Sequence, residues 1–486
     1  MNTVPPAAPP APEQPPASQP NWKDFRDHIA TADAQGRRQW IYPRKPKGRF
    51  YQWRVYLSWI LLGILFVNPF IKIHGNPLLM LNVVTRRFSI LGHIFWPQDM
   101  ALLAVALLLY FTGIMIFTAA YGRLWCGWVC PQTLFMEMVF RRIEYFIEGD
   151  SRAQRALAAA PWMARKIGLK LAKHAVFFGL SFVISNLLLS YIIGTDQLFA
   201  IITDNPSRHL AGLAYLLAFT GVFYAIFARF REQACTFICP YGRFMSTVLD
   251  ENTVVVAYDH KRGEQRAPLD RRQSPAQRRQ AGRGDCVDCK LCVAVCPTGI
   301  DIRDGNQMEC VNCTACIDAC EGVMAKTGRP RGLIRYASLN SIERGEKFRL
   351  TPRMIGYSTV LSVLIGLFVF LVLTRSNVEA TLLRAPGAMF QQLPDGNLVN
   401  LYTLQLVNKT SQAVPVQLKL ENVPGTLSIM GNPNPVVPGE QLVETSILIE
   451  LAPDLLRAGP KKFDVGVYSQ GRRLQMIRTT FIGPRN

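Results

Sequence analysis

Apolar residues follow two rhythms along this chain. Up to about residue 375 they gather into long, almost uncharged runs; beyond it they alternate with polar residues. Five runs are long enough to cross a bilayer as helices, which takes about 20 mostly apolar residues. They are Val55–Ile73, Met100–Ala120, His174–Ile193, Leu210–Ala228 and Met354–Thr374. The pattern predicts a polytopic α-helical membrane protein with about five transmembrane helices. A sixth apolar stretch, Phe88–Trp96, is too short to cross and reads as an interfacial or re-entrant piece. The last stretch, 375–486, carries short alternating segments such as "LYTLQLV", "VPVQLKL", "ETSILIEL" and "FDVGVYS", separated by "PDGN" and "VPGE". That period of two, with turn residues between, predicts an antiparallel immunoglobulin-like β-sandwich. Such a domain more often binds partners than catalyses.

Charge gives the spans a direction. The chain is 49% hydrophobic yet has a formal net charge of +20. Lys and Arg crowd the 23–54 segment, the 121–173 connection and the stretch between the fourth and fifth runs, whereas the other connections hold only Arg86, Arg87 and Arg208. Positive loops remain in the cytoplasm. The expected arrangement is a bacterial inner-membrane protein with its N-terminus inside and residues 375–486 in the periplasm. The basic residues lie beside apolar segments and do not form one folded basic unit, so no nucleic-acid partner is expected; membrane lipid is. Residues 1–22 are Pro/Ala-rich without the apolar core of a signal peptide, which predicts a disordered tail left on the side where it is made.

All twelve cysteines fall on the expected cytoplasmic side. Thiols there bind metal or do redox work more often than they form disulfides. "CVDCKLCVAVCP" and "CVNCTACIDAC" write the bacterial ferredoxin spacing C-x2-C-x2-C-x3-C twice. Three thiolates on a tight loop reach three corners of one cubane, and the fourth, placed after the loop, ligates the other cluster. Cys286, Cys289, Cys292 and Cys320 are therefore expected to hold one [4Fe–4S] cluster, and Cys310, Cys313, Cys316 and Cys296 a second. Zinc sites use more widely separated Cys-x-x-Cys pairs. The 2[4Fe–4S] ferredoxin-like domain is placed at 286–353. The Arg-rich stretch 250–285 before it reads as a solvated linker near lipid headgroups.

Two further pairs share another spacing. "CGWVCP" holds Cys126 and Cys130, and "CTFICP" holds Cys235 and Cys239, each pair following an apolar run and preceding a proline. Residues four apart share a helix face. If the second and fourth runs pack together, four thiols converge at the membrane surface. The quartet suits a thiolate site for Cu(I), zinc or an iron–sulfur cluster, a dithiol relay, or buried apolar filling. Trp125 and Trp128 read as interface anchors. His74, His93, His174 and His209 lie near run ends, where polar interface residues are common.

With "YGRLWCGWVCPQT", "CPYGRFMSTVLD", the double ferredoxin repeat and "GRPRGLIRY" (328–336), the chain resembles the CcoG/FixG/RdxA family of cytochrome c oxidase accessory proteins. The paired Cys-x-x-x-Cys-Pro motifs are shared with the membrane polyferredoxins NapH and NosR. The resemblance implies assembly of cbb3-type oxidase by reduction of Cu(II) to Cu(I), with copper or copper-handling proteins and oxidase subunits or assembly factors as partners. A cytoplasmic donor or quinol would supply electrons. Cys126, Cys130, Cys235 and Cys239 would then be the copper or redox thiols. A quinol-linked conduit and a non-redox assembly scaffold are the competing expectations.

Overall fold

The computed structural model describes residues 30–483, apart from 34, 74, 83–86, 97–98, 271, 386–389, 395, 411 and 457–460. The expected tail at 1–22 lies outside the described residues. Five helices are long and apolar enough to cross a membrane: Arg49–Phe70, Met100–Tyr121, Ala164–Ile193, Pro206–Phe230 and Pro352–Leu373. They carry exposed Ile60, Leu107, Val183 and Phe370, as lipid-facing helices do.

The first and third of these helices begin well before their apolar runs, for identifiable reasons. The first starts at Arg49 because Asp318 caps it: its carboxylate accepts from the Phe50 amide at 3.1 Å and the Tyr51 amide at 2.8 Å. A carboxylate at a helix N-terminus satisfies free N–H groups and the helix dipole together. The third starts at Ala164. Its added turns hold Lys170 and Lys173, which pair with Glu148 at 2.8 and 2.9 Å.

The chain forms two compact units, Met1–Phe66 with Leu107–Leu188 and Asp204–Leu364, and Val67–Ala106 with Leu189–Thr203 and Ile365–Asn486. Within the first unit the stretch 250–285 is no solvated linker. Val255–Tyr258 is buried along its length and pairs antiparallel with Ile334–Ala337, Val256 opposite Tyr336. Val256 and Tyr258 share a core with Ile300, Ile302, Ile317, Met324, Leu333 and Ile334. Arg278 is buried and donates to four carbonyls, those of Ala267, Pro268, Gly284 and Cys286. The segment's polar composition hides a short strand and an inward-pointing arginine.

The second unit is the sandwich. One sheet runs Thr426–Ile429, Leu442–Leu451, Leu398–Asn408, Val378–Arg384, with Gln391–Gln392 also on Leu398–Asn408; the other runs Gln417–Leu420, Lys461–Ser469, Arg472–Phe481. Alternate residues Tyr402, Leu404 and Leu406 meet Phe463, Val465 and Val467 in the core, as the period of two requires. The stretch Phe88–Trp96 belongs here and is not re-entrant. Leu79–Asn82, Arg87–Ile90 and His93–Phe95 form a three-stranded antiparallel sheet. Ile94 and Trp96 pack on Val407, which buries their apolar surface without lipid.

Candidate iron–sulfur and thiol centre

The two ferredoxin repeats fold into the same local backbone. Asp288 and Lys290 flank Cys289 with φ of 48° and 55°, and Asn312 and Thr314 flank Cys313 with 53° and 64°. Left-handed residues interrupting a right-handed turn point successive N–H groups into one concavity, a nest that binds anions. Asp and Asn adopt that conformation more readily than other side chains. After each nest a helix, Leu291–Ala294 or Ala315–Lys326, carries the third cysteine inward.

The cysteines gather around two cavities. Cys286, Cys289, Cys292 and Cys320 line one, with Tyr258, Met324 and Ile334. Cys296, Cys310, Cys313 and Cys316 line another, with Cys292 also in its wall. Burial pushes the Cys296 thiol up to about 11 and those of Cys310 and Cys320 to about 12. Sulfurs so placed carry charge only with a cationic or metal partner. Among the described residues no three Cys, His, Asp or Glu side chains crowd closely enough for a single metal ion. A tetrahedral zinc would draw thiolates to roughly 3.8 Å of one another. Thiols spread in two groups of four, beside anion-binding nests, fit two [4Fe–4S] groups.

The Cys-x-x-x-Cys pairs do not share a regular helix face. Cys126 lies in the short helix Leu124–Trp128, and Cys130 is the residue before the next turn, with ψ 124°. Cys235 lies in a π-helical turn, Ala234–Ile238, and Cys239 is extended before Pro240. The proline after each second cysteine breaks the helix one residue early. The four sulfurs still lie within electrostatic range: Cys126 has Cys130 and Cys239 as neighbours, and Cys235 has Cys126, Cys130 and Cys239, without three of them crowding as around one bound metal ion. Burial drives Cys126 up to about 11 and Cys235 to about 12.

This quartet sits against the second ferredoxin loop. Cys126 packs with Val295, Val311, Cys313 and Ala315. Gly127 has no room for a side chain, since a Cβ would lie 2.3 Å from the Val311 carbonyl oxygen. Arg54 donates to the Gly127 carbonyl at 3.0 Å, and Arg123 donates to that of Met308. Trp128 is no membrane anchor: its indole N–H donates to the Tyr336 hydroxyl at 3.2 Å, which donates to the Asn312 carbonyl at 3.3 Å. Of the histidines, His174 is hydrogen-bonded to Tyr224 at 2.8 Å and His209 to Asp204 at 3.1 Å. His74 and the His93 side chain lie outside the described residues. Sequence reasoning missed Arg54 and Arg123; "YGRLWC" shows an arginine three residues before a cysteine but nothing of its burial.

Comparison with known proteins agrees with this geometry. A "4Fe-4S dicluster domain" model matches residues 230–339, a "4Fe-4S binding domain" model residues 103–170, and "IG-like fold at C-terminal of FixG" residues 368–484. Five apolar helices, 4Fe-4S binding domains and an Ig-like domain define a membrane iron–sulfur electron-transfer protein. "Nitrogen fixation protein FixG" of Rhizobium meliloti is 33% identical over 435 residues, covering 81% of this chain and 82% of that protein. "Protein RdxA" of Cereibacter sphaeroides is 34% identical over 401 residues, with 79% and 83% covered, and "Protein RdxB" of the same organism 32% over 427, with 84% and 87% covered. The chain belongs to the FixG/RdxA family. A crystal structure of a FixG-related protein from Vibrio parahaemolyticus matches 22% of this chain and 97% of its own at 19% identity, with a TM-score of 0.19.

Proposed function

We propose that this protein reduces Cu(II) to Cu(I) at Cys126, Cys130, Cys235 and Cys239, for copper delivery during assembly of a cbb3-type cytochrome oxidase. Cys286, Cys289, Cys292 and Cys320 would hold one [4Fe–4S] group, and Cys310, Cys313, Cys316 and Cys296 the other. When bound, these groups supply single electrons. The cysteine quartet receives copper as substrate: soft thiolates prefer the cuprous state, so they favour Cu(II) taking up one electron. The Gly127 and Trp128 contacts fix the quartet against the second loop. The ferredoxin-like region and N-terminus would lie in the cytoplasm and residues 375–486 in the periplasm, by the Lys/Arg bias. There the sandwich would meet oxidase subunits or copper-handling proteins.

One observation carries the reading: Cys126 of the quartet and Cys313 of the second ferredoxin loop share one packed cluster. The test mixes anaerobic, dithionite-reduced protein, freed of excess reductant, with Cu(II) and a Cu(I)-selective chromophore. Cu(I) should appear as the iron–sulfur absorbance recovers; none from protein with full iron content defeats the proposal.

A second reading rests on the 4Fe-4S model matching residues 103–170, which include Cys126 and Cys130. There the quartet holds a further cluster, and the protein is a conduit from quinol or a cytoplasmic donor. Iron content separates the two: about eight irons per chain for two cubanes, about twelve for three.

A further inference from the structure

Arg123 is 4% exposed, and no carboxylate pairs with it among the described residues. Its Nε finds no hydrogen-bond partner, and one terminal nitrogen donates to the Met308 carbonyl. The other terminal nitrogen lies beside Gly242, where a Cβ would come within 2.9 Å of it and 2.5 Å of the Cys235 carbonyl oxygen. The guanidinium is an electrostatic neighbour of three sulfurs in two different sites, Cys126 and Cys235 of the quartet and Cys310 of the second ferredoxin loop. It lines a cavity with Cys310 and Asn312. Arg54 makes a similar approach from the first span. It is 4% exposed, donates to the Gly127 carbonyl and neighbours Cys313. The acid near Cys313, Glu137, is committed to Arg141 at 2.8 Å.

A guanidinium cannot shed its proton, and a buried cation without a counter-ion is strongly unfavourable. The anions within reach are sulfurs. We propose that Arg123 is a positioning residue that counters thiolate charge on the quartet and on the second ferredoxin loop at once, so that the redox potentials of the two sites are set jointly. This rests on the proposed copper reduction and deepens it by naming a positioning residue shared by its two sites.

Removing the cation disfavours the more negative, reduced state. Arg123→Gln should lower the midpoint potential of one iron–sulfur EPR signal by at least 59 mV, a tenfold change in a one-electron equilibrium. That signal is the one lost in Cys310→Ser. The signal lost in Cys286→Ser should not move, and Arg123→Lys should restore most of the shift. The Cys126→Ser/Cys235→Ser double variant removes negative charge and should raise the same midpoint. Equal shifts in both signals, no shift with Gln, or no rise in the double variant would overturn the proposal. If Arg123→Gln loses its iron, a Lys variant that keeps it supports the charge role, and one that also loses it refutes that role. A wild type that leaves Cu(II) untouched while Arg123→Gln still shifts the one signal would refute the copper reading and spare this one.

Discussion

The two ferredoxin loops share their cysteine spacing and their local backbone, and they differ in what surrounds them. Around the first group the arginines have acids: Arg262 pairs with Asp285 at 2.9 Å, Arg303 with Asp288 and Asp301 at 2.6 Å each, and Arg266 with Asp304 at 3.2 Å. Its Cys289 is exposed to solvent. None of the second group's four thiols is exposed. Its neighbouring guanidiniums, Arg54 and Arg123, pair with no acid among the described residues, and the Cys126–Trp128 turn covers it. A motif specifies which cluster is held, whereas nearby charge, hydrogen bonds and solvent access set its potential. Identical spacing can therefore serve two roles, the first group facing solvent and the second facing the quartet.

Replacing one ligand in each group breaks this comparison most severely. Cys310→Ser should reduce copper reduction by more than about 100-fold, because it removes a proposed ligand from the loop that packs against Cys126. Cys289→Ser should leave the dithionite-driven reaction within about tenfold. Stopped-flow formation of the Cu(I) chromophore, with iron content measured alongside, checks both. Equal losses in the two variants would dismiss the asymmetry.

The asymmetry could not be read from the motifs. Spacing alone gave the five spans, because bilayer thickness acts on a short stretch of chain. Burial of Arg123 depends on Gly242, more than a hundred residues away, and burial of Arg278 on carbonyls that only the folded loop brings together. The 250–285 segment misled because charged residues usually mark solvent, and Arg278 instead satisfies backbone acceptors inside. Phe88–Trp96 misled because an apolar run of nine suits a β-hairpin as well as a membrane dip. The Cys-x-x-x-Cys pairs lie within electrostatic range of one another, but through helix breaks at Cys130 and Cys239.

An acid-sensitive carboxylate, Glu144, lies on the second group's side of the unit. Arg231 and Glu232 line a cavity with Cys235 and Thr298, and Arg231 is held by buried Glu144 at 2.6 Å. Burial alone would raise the Glu144 pKa, but the positive charges of Arg231 and Lys173 outweigh it and bring it down from 4.5 to about 2. A depressed carboxylate pKa contributes stability that is fully present above the unfolded value and lost as pH falls through the folded one. The window here runs from about pH 4.5 down to about 2. Glu144→Gln should lower stability at neutral pH by on the order of 3 kcal/mol, and the gap from wild type should close across that window. Denaturant titrations in detergent at several pH values would show it; a gap independent of pH would mean that Glu144 acts by packing alone.

Two glycines give the finest version of the comparison. A Cβ at Gly127 would strike the Val311 and Asn312 backbone at 2.3 to 3.0 Å, and backbone cannot rotate away as a side chain can. Gly127→Ala should cost about 1–3 kcal/mol, and it should perturb only the EPR signal that Cys310→Ser removes. Gly322 lies inside the helix Ala315–Lys326, next to Glu321, an acidic neighbour of Cys320 in the first group. A Cβ there meets nothing within 4 Å. Alanine is favoured over glycine in a helix interior, so Gly322→Ala should stabilise by about 0.8 kcal/mol and leave both signals in place. Thermal unfolding of the iron-loaded protein, followed by EPR of each variant, reads the two effects. If Gly127→Ala were as harmless as Gly322→Ala, the turn carrying Cys126 would not press on the second loop, and the contact joining quartet to cluster would be lost from the argument.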